Sequence, residues 1–160
     1  MLMAFTAFHV ALSLIGIASG FVVLSGMLTS QRFEGWTKIF LTTTVATSLT
    51  GFLFPYHGFT PGIAVGIISV VVLTIAALGL YRFGLAGGWR KAYTITSILA
   101  LYLNVFVLIV QLFEKVPFLN ALAPTQSEPP FQIAQIVVLL TFAFLGFRAT
   151  SRFVPGPRVA

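Results

Sequence analysis

The sequence predicts an all-α fold, a polytopic transmembrane bundle of about five helices. Three observations carry that reading: the shortage of charge, five apolar runs of near-membrane length, and the placement of the basic residues. Of the 160 residues, 58% are hydrophobic and 8% charged, and the mean hydropathy is +1.03. An ordinary soluble domain carries about 25% charged residues. Three acids and nine bases cannot give a water-facing surface to a chain of this size, so lipid is the expected solvent.

A hydrocarbon core about 30 Å thick is crossed by roughly 20 residues of helix. The first run, 5–28, contains no Lys or Arg and none precedes it; it is too long for a signal-peptide apolar core and reads as a true span. The second runs over 36–54 and stops at Pro55. The third, 61–81, opens on Pro61, a favoured first-turn residue. The fourth covers 91–113. The fifth, 130–147, opens at Pro129 and Pro130. These spans form a single domain over residues 1–154, with a short basic tail at 155–160. Within 114–128, Pro117 followed by Phe118, Leu119 and Leu122 predicts a turn of helix lying in the interface. Ser127 and Glu128 are placed to cap the fifth helix.

With five crossings, Arg32, Lys38, Arg82, Arg90, Lys91, Arg148, Arg152 and Arg158 fall on one side and only Lys115 on the other. The positive-inside rule then puts the N-terminus outside and the C-terminus in the cytoplasm. Trp36 and Trp89 fall at the cytoplasmic interface, where an aromatic belt belongs. The +6 net charge is therefore a topology signal. It is not a nucleic-acid surface, which needs a water-facing basic patch.

Small residues mark helix contacts in lipid, because apolar burial drives little association there. Gly16 and Gly20 form one small-xxx-small pair in the first helix, and Gly62 and Gly66 another in the third. Thr43 and Thr47 lie on one stripe of the second helix. Ser97, Asn104 and Gln111 recur every seven residues on one face of the fourth. Asn104 sits near the midplane and must turn inward, since an amide in hydrocarbon lacks hydrogen-bond partners.

A second polar group gathers at the outer end. It comprises His9, His57, Gln111 and Glu114, with Gln132 and Gln135 nearby. With Asn104, these are the candidate ligand-binding residues. His9 and His57 are the alternative metal or haem ligands, imidazole being a common axial ligand. The chain has no cysteine, no Gly-x-Ser-x-Gly, no Walker loop and no His-Glu-x-x-His. No charged residue falls in the middle of a span, which weakens pumps and proton-coupled transport. No catalytic residue is assigned.

Two stretches resemble known sequences. Leu103-Asn104-Val105-Phe106-Val107 through Gln111, then Phe113-Glu114-Lys115-Val116-Pro117 and 123–131, resembles a group of small uncharacterised bacterial inner-membrane proteins. His9, with Arg32-Phe33-Glu34-Gly35-Trp36 and Thr50-Gly51-Phe52, is faintly similar to the DUF2306-type membrane proteins. Those typically carry a histidine just before that arginine; Gln31 stands there in this chain. The resemblance implies a bacterial inner-membrane location and supplies no activity.

The leading expectation is a non-enzymatic bundle, an accessory or structural membrane component without a cofactor. Its partners would be the lipid bilayer and a second copy or another membrane protein. One alternative is a binder of a small ligand, haem b, a quinone or a metal ion at the outer cluster. Another is a transporter of a small uncharged solute along Thr43, Thr47, Ser97 and Asn104.

Overall fold

The computed structural model describes residues 2–55, 58 and 60–154. Among them are six α-helices and no strand. They are α1 (Leu2–Leu28), α2 (Glu34–Gly51), α3 (Pro61–Ala77), α4 (Gly88–Lys115), α5 (Pro117–Leu122) and α6 (Pro129–Arg152). Four segments are long and apolar enough to cross a membrane: α1, α3 with its extension to Arg82, α4 and α6. The second expected span is present as a helix but falls outside that group. It has only 18 residues, and Glu34, Lys38 and its threonines lower its hydropathy.

Neighbouring helices alternate in direction. His9 meets Thr50, Gly16 meets Thr44 and Gly20 meets Phe40, so α2 runs back along α1. Gly66 of α3 sits against the Phe52 ring, just beyond α2. Gly79 meets Trp89 and Tyr93, which turns α4 back along α3. Phe113–Phe131 at 5.4 Å and Tyr102–Phe142 at 5.8 Å set α6 antiparallel to α4. The ring closes where α6 meets α1: Phe21 and Phe142 are 6.1 Å apart, and Ser30 Oγ donates to the Arg152 carbonyl. Helix α4 is the hub, packed on α1, α3, α5 and α6.

The boundaries follow local chemistry. Thr60 Oγ1 accepts from Ile63 N at 3.4 Å and caps α3, with Pro61 at its first position. At its other end α3 relaxes into a π turn, Leu78–Arg82. The Phe83 amide there reaches the Leu78 carbonyl at 3.0 Å. A Cβ on Gly79 would lie 3.2 Å from the Trp89 carbonyl oxygen, so the glycine permits the close approach of α4. In the following loop Leu85 is held at φ +63 with its side chain buried, a left-handed conformation that costs a non-glycine residue energy. The fifth span is longer than 130–147, continuing through Arg148 to Arg152. Helix α5 starts at Pro117, as the apolar loop pattern predicted.

The alternation collects Arg32, Lys38, Arg82, Arg90, Lys91, Arg148 and Arg152 at one end of the bundle, with Lys115 at the other. Trp36 and Trp89 lie at the basic end, and the Trp89 ring stacks on Phe83 at 4.0 Å. Arg158 lies outside the described residues.

Candidate functional site

Polar side chains occupy three levels of the bundle. At the middle, Asn104 Nδ2 donates to Thr44 Oγ1 across 3.3 Å, linking α4 to α2. Gly16 of α1 lies directly over this pair: a Cβ there would be 3.0 Å from Thr44 Oγ1 and 3.6 Å from Asn104 Nδ2. Three helices thus meet at one buried hydrogen bond, as the inward-facing amide requires. Gly20, one turn along, faces Leu101 and Phe40. Thr43 returns its hydroxyl to the Ile39 carbonyl at 2.7 Å. The Oγ atoms of Thr47 and Ser97 are buried without a well-formed hydrogen bond. Thr44, Thr47, Ser97 and Asn104 are all buried in packed helix contacts.

The outer end differs from the expected cluster. His9 Nδ1 is 2.9 Å from Thr50 Oγ1, and its ring meets Phe54 edge-on at 5.1 Å. It is a contact between α1 and the end of α2. Gln111 does not share the inward face of Ser97 and Asn104. It is exposed and donates to Glu114 of its own helix at 3.4 Å, while Lys115 lies 3.9 Å from the same carboxylate. The 3.6-residue turn drifts about 20° per heptad, so two heptads beyond Ser97 the amide has left the packed face. Gln135 of α6 makes an interhelical bond instead, donating to the Phe106 carbonyl at 3.2 Å, and Gln126 ties the loop before α6 to α4 by donating to the Val110 carbonyl at 3.0 Å. His57 lies outside the described residues. Among those described, no group of three His, Cys, Asp or Glu side chains converges.

Two further expectations change. Glu128 leaves the first turn of α6 without a side-chain cap. Its carboxylate instead accepts from Thr125 Oγ1 at 2.9 Å, Thr125 N at 3.2 Å and Ser127 N at 3.1 Å, closing the loop before the helix. Desolvation opposes its ionisation, but these hydrogen bonds outweigh that and hold the carboxyl below the usual glutamate range. Gly62 does not join Gly66 in a packing pair. Among the described residues, a Cβ there would meet only the Thr60 hydroxyl, at 3.7 Å.

The polar cleft that does form is at the basic end, away from the expected outer cluster. It has a volume of about 250 Å³. Val23 and Met27 of α1, Leu80 of the π turn and Phe153 after α6 form its apolar floor. Arg32, Glu34, Thr37, Lys38 and Tyr81 line its polar side, and Tyr93 closes the depth. Arg32 Nη2 lies 3.6 Å from Glu34 Oε1, and no acid pairs with Lys38 among the described residues. Arg90 pins Phe153 by donating Nη1 to its carbonyl. The clustering of Arg32, Glu34 and Lys38 was the one cue in the sequence; the floor comes from three separate segments.

A second groove, about 420 Å³ and almost wholly apolar, runs between α4 and α6 beside Ile98, Tyr102, Phe142 and Gly146. It faces outward from the bundle. Of the apolar window in α6, 11% is buried, against 28% to 39% in the other three candidate spans. Comparison of the chain with family models, with curated proteins and with solved structures finds no match.

Proposed function

We propose that this chain is a non-enzymatic component of a bacterial inner membrane, crossing it five times with the N-terminus outside and the C-terminus in the cytoplasm. The observation that carries the reading is the Asn104–Thr44 hydrogen bond under Gly16. The midplane amide of Asn104 is spent on holding α4 to α2, a use worth about 0.6 to 2 kcal/mol per contact in lipid. Helix α2 runs antiparallel between α1 and α3, which favours a fifth crossing despite its lower hydropathy. Seven bases at one end supply the orientation by the positive-inside rule. The apolar outer flank of α6 suits an accessory role, facing lipid or another membrane helix.

Topology is tested with single cysteines, each a unique reporter because the chain has none. Thr29→Cys and Ala86→Cys should react with a membrane-impermeant maleimide only from the cytoplasmic side, and Leu53→Cys and Ala121→Cys only from outside. Labelling of Thr29→Cys and Leu53→Cys from the same side shows that α2 does not cross and refutes five crossings. The non-enzymatic reading is tested by spectrum and flux. A Soret band lost in His9→Ala, or glycerol flux into proteoliposomes abolished by Asn104→Leu, would overturn it.

A further inference from the structure

We propose that the basic-end cleft is a binding site for an amphiphilic anion, a phosphate or carboxylate head carried on a short apolar body. The lining is divided in the way such a molecule is. Val23, Met27, Leu80 and Phe153 form the floor; Arg32 and Lys38 stand at the rim. Glu34 offsets one of the two cations through its 3.6 Å contact with Arg32, leaving the rim one positive charge in excess. An anionic head answers it.

The chemistry of the two cations suits an oxyanion. A guanidinium presents several donors in a planar fork, so Arg32 can hold Glu34 and still offer N–H groups to a second acceptor. Lys38 adds a point charge one turn along α2. Thr37 and Tyr81 line the same cleft. The surrounding bases, Arg82, Arg90, Lys91, Arg148 and Arg152, raise the local potential and draw anions toward this end. A cationic ligand would meet two like charges at the rim. A fully apolar one would leave them unmatched.

At about 250 Å³ the cleft is small. A small head and a short chain fill it; a whole phospholipid does not, although its headgroup could enter from the adjoining leaflet. The ligand chemistry is therefore shared between a soluble short-chain anion and an anionic lipid head. The site depends on the geometry of this end alone, so a failure of the five-crossing topology would leave it standing.

The test is calorimetric titration of the full chain in phosphatidylcholine nanodiscs with hexyl phosphate. Saturable binding is expected, with inorganic phosphate at least about tenfold weaker because it cannot use the floor. Lys38→Gln, at an exposed position, should weaken hexyl phosphate about tenfold. Arg32→Gln should weaken it at least as much, and Lys115→Gln, at the opposite end, should not change it. If phosphatidylglycerol in the nanodisc competes with hexyl phosphate, a lipid head is the natural occupant; if it does not, a soluble amphiphile is. Absence of saturable binding, wild-type affinity in both Lys38→Gln and Arg32→Gln, or inorganic phosphate binding as tightly as hexyl phosphate would overturn the assignment.

Discussion

Replacing Gly20 by alanine should lower the stability of the bundle, and the size of the effect follows from its surroundings. A Cβ at this position would stand 2.6 Å from Leu101 Cδ1 and 2.9 Å from Phe40 Cε2. Carbon atoms settle at about 3.5 to 4.0 Å, so the methyl overlaps both neighbours by more than half an ångström. Leu101 and Phe40 are each 1% exposed, so both must shift within the packed interior to admit the methyl. Overpacking of this kind costs about 1–3 kcal/mol. Alanine also gains about 1 kcal/mol of helix propensity over glycine, which would mask part of the loss. Gly146→Ala is the matched control. It lies inside α6, where the nearest atom, Ile98 Cγ2, is at an ordinary 3.7 Å. The two variants share the propensity gain, so their difference isolates the packing cost. Reversible unfolding in mixed micelles should place Gly20→Ala about 1–3 kcal/mol below Gly146→Ala. Equal stabilities would refute the close approach of α1 to α2 and α4.

Three other perturbations have defined outcomes. Asn104→Leu removes the bond to Thr44 and should destabilise by about 0.6 to 2 kcal/mol in the same assay; Thr44→Val should lose a similar amount, and the double variant no more than either alone. His9→Leu should cost about 1 kcal/mol or less and leave the visible spectrum unchanged, since the imidazole serves Thr50 and Phe54. Glu128 titrates at a lower pH in the folded loop than in the unfolded chain, whose reference value is 4.5. Its contribution is thus present above that value and lost as pH falls through the lower folded value. Amide exchange at Thr125 and Ser127, corrected for intrinsic rate, should accelerate below about pH 4.5, and Glu128→Gln should show the faster exchange at neutral pH.

Much of the helix layout could be read from the chain because each crossing is specified locally, by its own apolar length and by the proline or basic residue at its end. Asn104 was legible for the same reason: hydrocarbon leaves a midplane amide nowhere else to turn. Residues whose role depends on a neighbour's reach were less legible. Gln111 and Gly62 each repeat a spacing that places a better-packed partner, Asn104 and Gly66, against another helix. Spacing gives the face only approximately, since an α-helix drifts out of a seven-residue repeat, and it does not say where a neighbouring helix lies. Glu128 had the right type and position for a cap, but the loop amides of Thr125 and Ser127 competed for the carboxylate. The basic-end cleft was least accessible, since its floor joins residue 23 to residue 153 and no local pattern encodes that meeting.

The closure of the bundle between its first and last helices has a consequence for biogenesis. The hairpin of α1 and α2 can pair as soon as both are inserted, yet the flank of α1 that receives Phe142 stays open until α6 is synthesised. Ser30 waits for the carbonyl of Arg152, 122 residues further along the chain. A chain released before residue 142 would thus keep an unsealed side in the bilayer, a mark by which membrane proteases can distinguish an unfinished product from a finished one.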